Sequence, residues 1–149
     1  MTINNKLWMG LGVGAVASVA IAFGPTSASG SGADSGVHEP GVYTVEDGKV
    51  DELTFRGYEA YARSCAACHG PDGVGSSFAP SLVRAAERRG YDEFSRTVAE
   101  GMEVQPGQVM PSFADDPYVM EHLGHIYSYL KARADGEVGR GRPQVIEEE

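Results

Sequence analysis

The chain contains two cysteines, and both stand in one five-residue stretch, Cys65-Ala66-Ala67-Cys68-His69. No other feature constrains the fold as strongly, because C-x-x-C-H is the attachment signature of a c-type haem. Two thiols separated by two residues, at the end of a helix, reach the two vinyl groups on one porphyrin edge and form thioethers. The adjoining His69 then projects under the ring and presents its imidazole to the iron. Rival readings explain less. A thioredoxin-like pair sits near a βαβ pattern, which is absent from the sequence. A structural zinc site needs a fourth ligand and usually a second Cys/His pair. A plain disulfide leaves His69 unexplained.

A length of 149 residues suits one domain, and 42% hydrophobic residues argue against wholesale disorder. Twenty-one acidic residues against twelve basic ones, a net charge of −9, argue against nucleic acid, which is bound through clustered Lys and Arg. Twenty glycines and eight prolines imply much loop.

The N-terminus reads as an address. Lys6 is the only charge before the apolar run Leu7–Phe23, and small residues follow. This makes residues 1–28 a secretory signal peptide, cleaved after Ala28 with Thr26 and Ala28 at the −3 and −1 positions. An uncleaved membrane anchor is the alternative, since the run approaches spanning length. Either way the chain is expected to be exported. Residues 29–41 then form a flexible lead-in.

Val42-Tyr43-Thr44-Val45 alternates in a β-prone pattern before Asp47-Gly48, which predicts a small hairpin or extended arm. Helical periodicity follows. Leu53, Gly57, Tyr61 and Ser64 share one face of a first helix ending at Cys65. Ser81–Arg89 suggests a second. Tyr91, Phe94, Val98 and Met102 mark a third, stopped by Gly101. Asp116 caps a last helix with Pro117 in its first turn and Val119, Leu123, Tyr127 and Leu130 along one stripe. His122 and His125 fall off that stripe, on a face expected to be solvated. Two long Gly/Pro-rich loops, Gly70–Pro80 and Glu103–Asp115, separate the helices. Each helix offers only a thin apolar stripe, so a large buried apolar group would complete the core. Residues 137–149 lack periodicity and read as a tail, leaving 42–136 as the domain.

The run CAACHGPDGVG, with a helix before it and an MP loop after, resembles the class I cytochromes c. More narrowly, GVYTVEDGKVD, CHGPDGVGSSFAPSL, VMPSF and IYSYLKARADGEVGRGRP are similar to the small periplasmic cytochromes that accept electrons from pyrroloquinoline-quinone (PQQ) alcohol dehydrogenases. The resemblance covers about Val42 to Pro143. It implies an all-α class I fold of about four helices around one covalent haem c, held by Cys65 and Cys68. It also implies a periplasmic electron carrier rather than an enzyme, with such a dehydrogenase as donor and another cytochrome or a terminal oxidase as acceptor. A membrane partnership is expected only with an uncleaved leader.

With His69 on the iron, the sixth position separates a carrier from a catalyst, because a thioether favours the ferrous state while an open site admits small ligands. Met102, Met110, Met120, His122 and His125 follow the motif. Met110 stands in a loop stiffened by Pro111 and matches the family's Met–Pro ligand loop, whereas Met102 closes the apolar face of the third helix and reads as packing. Were Met110 not a ligand, the alternative would be a haem enzyme or gas-binding module; a tethered oxidase or dehydrogenase subunit is a third reading. In similar cytochromes a proline carbonyl at the place of Pro80 accepts a hydrogen bond from the proximal imidazole; a plain turn proline is the alternative. Gly57 resembles the glycine where first and last helices cross opposite an aromatic such as Tyr127. Asp72 reads as a turn residue.

Overall fold

Asp51 opens the first helix of the computed structural model, which describes residues 38–147. The leader Leu7–Phe23, the cleavage site after Ala28 and the lead-in as far as residue 37 lie outside the described residues. Asp51 accepts a hydrogen bond from Thr54 N at 2.8 Å, an N-cap for α1 (Glu52–Ser64). After it come α2 (Ala66–His69), α3 (Leu82–Arg88), α4 (Tyr91–Glu100), α5 (Pro117–Glu121) and α6 (Leu123–Ala134). Two details of the sequence reading change. The described residues hold six helical segments rather than about four, and they include two small sheets.

The additional helices have local causes. Cys65 closes α1 and begins the single turn of α2. The last predicted helix divides at His122 (φ −95°, ψ 6°), whose Nδ1 donates to the Tyr118 carbonyl at 3.0 Å. A side chain that takes a backbone acceptor competes with the helical ladder there.

The first sheet contains the expected hairpin. Strands β1 (Val45–Glu46) and β2 (Lys49–Val50) pair antiparallel across Asp47 and Gly48, both at positive φ (50° and 78°), as the tightest hairpin turn demands. The second sheet lies in the stretch read as a loop. Here β3 (Met102–Gln105) and β4 (Gln108–Met110) flank Pro106-Gly107, and Gly107 has φ +85°. Proline followed by glycine is the signature of a type II turn. Because α4 stops at Glu100, Met102 is not the end of a helical stripe; it sits on β3, 40% exposed.

Helices α1 and α6 cross at Gly57, where a Cβ would stand 2.0 Å from the His125 carbonyl oxygen. Gly57 therefore faces backbone, not the expected Tyr127. Tyr127 packs elsewhere, 5.5 Å from Tyr91 and 5.2 Å from Phe94 between ring centroids, with its hydroxyl donating to Arg89 O at 2.8 Å.

The face carrying His122 and His125 is half-buried rather than solvated. The arm before β1 covers it: Gly41 N and His38 Nε2 both bond Ser128 Oγ, at 2.8 and 2.9 Å, and the His38 and His125 rings lie 5.6 Å apart. The arm thus helps bury Ser128, while Tyr129 is buried against Tyr58 and Tyr61 of α1, in addition to the predicted Leu123, Tyr127 and Leu130.

The segment expected to be a tail also packs. Val138 joins the core formed by Val50, Ala60, Tyr61, Ile126, Tyr129 and Leu130, and β5 (Gln144–Val145) runs parallel to β2. A second, smaller cluster gathers Val98, Val119 and Leu123 with Met110 and Phe113 against it. Among the described residues no helix is long and apolar enough to cross a membrane.

Candidate functional site

Cys65 N donates to Tyr61 O at 2.8 Å, while Cys65 O accepts from Cys68 N and His69 N at 3.2 and 3.0 Å. One backbone turn thus carries both thiols and the imidazole, with Cys65 half-buried and Cys68 exposed. Burial, with the neighbouring Cys68 adding to it, pushes the Cys65 thiol up to about 11. Catalytic redox thiols are tuned in the opposite direction from Cys65.

His69 is 6% exposed, and its Nδ1 lies 2.9 Å from the Pro80 carbonyl oxygen. A carbonyl only accepts, so Nδ1 carries the proton and Nε2 keeps its lone pair for a metal. Such a bond also fixes the ring's orientation. The loop between these residues is dense in hydrogen bonds. Gly75 N donates to His69 O at 2.8 Å, the Tyr61 hydroxyl donates to Gly70 O, and the Ser76 hydroxyl donates to Cys68 O. Gly70 (φ +79°) permits the turn: a Cβ there would meet Gly75 O at 2.7 Å.

Met110 ends β4 and packs on the second cluster. The backbone beyond it is tied to α4, by Phe113 N to Val98 O at 3.0 Å and Ser112 Oγ to Ala99 O at 2.5 Å. The structure therefore joins Cys65, Cys68, His69 and Pro80 in one unit and holds Met110 in another. Met120 is exposed on α5, His122 stacks on Tyr118 between α5 and α6, and His125 lies at the α1–α6 crossing.

These residues fit a covalently tethered haem. One enclosed imidazole keeps a free nitrogen, directly beside two thiols. Large apolar side chains in the two Gly/Pro segments lack cover: Phe78 is 75% exposed, Val104 62% and Val109 64%. Apolar surface of this kind marks a site for an apolar group.

Sequence reasoning missed Tyr61, Ser76 and Asp72 as supports of this loop. Asp72 is the clearest case. Its buried carboxylate accepts from Gly141 N at 2.8 Å and Arg140 Nε at 2.9 Å, residues almost seventy positions away that no local pattern links to it.

Residues 53–130 match the family model described as cytochrome C oxidase, cbb3-type, subunit III. The chain is 40% identical over 107 residues to cytochrome c-553I of Paracoccus denitrificans, covering 70% of this chain and 47% of that one. It thus spans about half the length of that relative. It is 33% identical over 93 residues to cytochrome c-555 of Methylococcus capsulatus, covering 62% and 72% of the two chains. A solved structure, the c-type cytochrome XoxG of Methylobacterium extorquens AM1, superposes with a TM-score of 0.67 at 41% identity, over 75% of this chain and 76% of that one.

Proposed function

Since the chain belongs to the class I c-type cytochromes, electron-transfer proteins with covalently bound haem c, we propose that it is an exported, periplasmic single-electron carrier whose donor is a PQQ-dependent alcohol dehydrogenase. In this reading Cys65 and Cys68 hold the haem by thioethers, and His69 and Met110 are the axial ligands. The acceptor is another cytochrome or a terminal oxidase. The observation that carries the reading is the 2.9 Å bond between His69 Nδ1 and the Pro80 carbonyl, which reserves Nε2 for iron immediately after both thiols.

When bound, the haem supplies a one-electron iron couple. The protein's residues set the conditions for it. Pro80 holds the His69 tautomer and orientation, so little rearrangement accompanies a change of charge. Met110, on a ribbon tied to α4, offers a thioether, a ligand that favours the reduced state. Phe78, Val104 and Val109 keep water from an apolar group. An acidic chain steers a basic partner surface, and a small contact allows rapid release.

The donor is supported by the resemblance of residues 42–143 to the dehydrogenase-coupled cytochromes. Stopped-flow reduction of the holoprotein by a quinoprotein alcohol dehydrogenase tests it: rapid reduction that slows with salt is expected, and no reduction overturns the assignment. A second reading, a tethered oxidase subunit, is favoured by the description of the matching family model. N-terminal sequencing of the mature protein separates the two, since retention of Leu7–Phe23 favours tethering.

A further inference from the structure

Asp72 lies three residues beyond His69, and its side chain is 8% exposed although it carries a carboxylate. Buried carboxylates persist where charge and hydrogen bonds compensate them. Both hydrogen bonds to the Asp72 carboxylate come from the C-terminal segment, Gly141 N at 2.8 Å and Arg140 Nε at 2.9 Å, and the Arg133 charge on α6 adds to them. Those bonds hold the Asp72 carboxyl below the usual carboxylate range, the Gly141 amide contributing most and Arg140 next. The segment is itself anchored on both sides. Arg133 Nη1 donates to Val138 O at 2.9 Å, and Arg142 pairs with Glu59 at 3.1 Å while lying over the Phe55 ring.

From Asp72 a continuous set of bonds leads to the imidazole. The next residue, Gly73, accepts three hydrogen bonds on its carbonyl, from Leu82 N at 2.8 Å, Val83 N at 3.0 Å and Ser81 Oγ at 3.1 Å. Those donors form the start of α3, and the residue before them is Pro80, whose carbonyl receives His69 Nδ1. On the other side, Gly75 N holds His69 O. The path runs from Arg140 and Gly141 through Asp72 and Gly73 to Ser81, Pro80 and His69.

We infer that Asp72 and Arg140 form a clamp by which the C-terminal segment positions the His69 imidazole, through the Gly73 carbonyl and Pro80. This inference rests on the reading of His69 as an iron ligand. Loosening the clamp weakens the Nδ1–H···O bond, so the imidazole would donate less electron density to a bound iron, which raises the reduction potential. Simple charge effects differ in sign: removing the Asp72 charge raises the potential, but removing the Arg140 charge lowers it.

The experiment is potentiometric titration of purified holoprotein carrying Asp72→Asn, Arg140→Met and both together. An optical spectrum of the wild type comes first; if it lacks histidine-ligated haem, the ligand assignment fails rather than the clamp. The clamp predicts an upward shift in both single variants and no further shift in the double, with faster solvent exchange of the His69 Nδ1 proton. Opposite shifts that sum in the double variant, or unchanged potentials with unchanged exchange, overturn it. Arg140 is 73% exposed, so Arg140→Met reads the clamp even where Asp72→Asn does not fold.

Discussion

Met102 and Met110 stand directly opposite each other in the β3–β4 ladder. Directly paired residues put their side chains on the same face of a ribbon, so the choice between the two sulfurs is made by anchoring rather than by reach. Met110 is packed on Val98, Val119 and Leu123, whereas Met102 is exposed. The sulfur–iron charge-transfer band of the oxidised protein should therefore vanish in Met110→Ala and persist in Met102→Ala. The reverse pattern would assign the ligand to Met102.

The protein core alone is thin. Its main cluster rests on α1 and α6, and the large apolar side chains Phe78, Val104 and Val109 stand exposed on the segments between helices. The double variant Cys65→Ala/Cys68→Ala is expected to be largely unfolded by far-ultraviolet circular dichroism. A native-like helical spectrum would contradict this.

Gly57 touches the backbone of α6, and backbone cannot rotate out of the way. Gly57→Ala should separate α1 from α6 and destabilise the holoprotein by about 1–3 kcal/mol, the range of core overpacking. Thermal unfolding of the variant measures it, and a change within about 0.5 kcal/mol of wild type, as for an ordinary surface substitution, would show that the crossing is not close-packed.

Acid should weaken the fold in two stages. Burial, then the nearby His38, His122 and Arg56 charges, depress the His125 imidazole below its ordinary 6.5 despite the opposing Asp51 charge. The unfolded chain then binds more protons, so stability is lost as pH falls from 6.5 through the folded value. A second loss begins below 3.8. At Asp72 the Gly141 and Arg140 bonds are lost on protonation. At Asp51, burial raises the carboxyl but bonds from Thr44 and Thr54 outweigh it. Melting temperature against pH should show both stages, and His125→Asn should remove the first alone. An unchanged first stage in that variant would place its origin elsewhere.

What could be read from the sequence was local. The haem motif, the Asp47-Gly48 hairpin, the helix from Leu53 up to Cys65 and the Asp116 cap each lie within a short stretch and have a short-range physical cause. The Pro106-Gly107 turn is equally local, but the strands it joins are exposed as far as the half-buried Met110 and carry no alternation of burial. Distant pairings had no such signal. The docking of residues 137–147, the Asp72 clamp and the cover that His38 and Gly41 give Ser128 each join positions far apart in the chain. Consequently the segments expected to be solvated, the C-terminal one and the His122/His125 face, are ones the structure packs against the body, with Val138 and Pro143 buried and both histidines half-buried.

The account stands on covalent attachment of one haem to Cys65 and Cys68. Intact-protein mass spectrometry after acid–acetone extraction, on material matured in a host competent for c-type cytochromes, tests it most directly. The predicted result is a single species heavier by one haem that stays coloured on extraction, and an equal loss of that mass when both cysteines are replaced. A colourless protein at the mass of the bare polypeptide would contradict it.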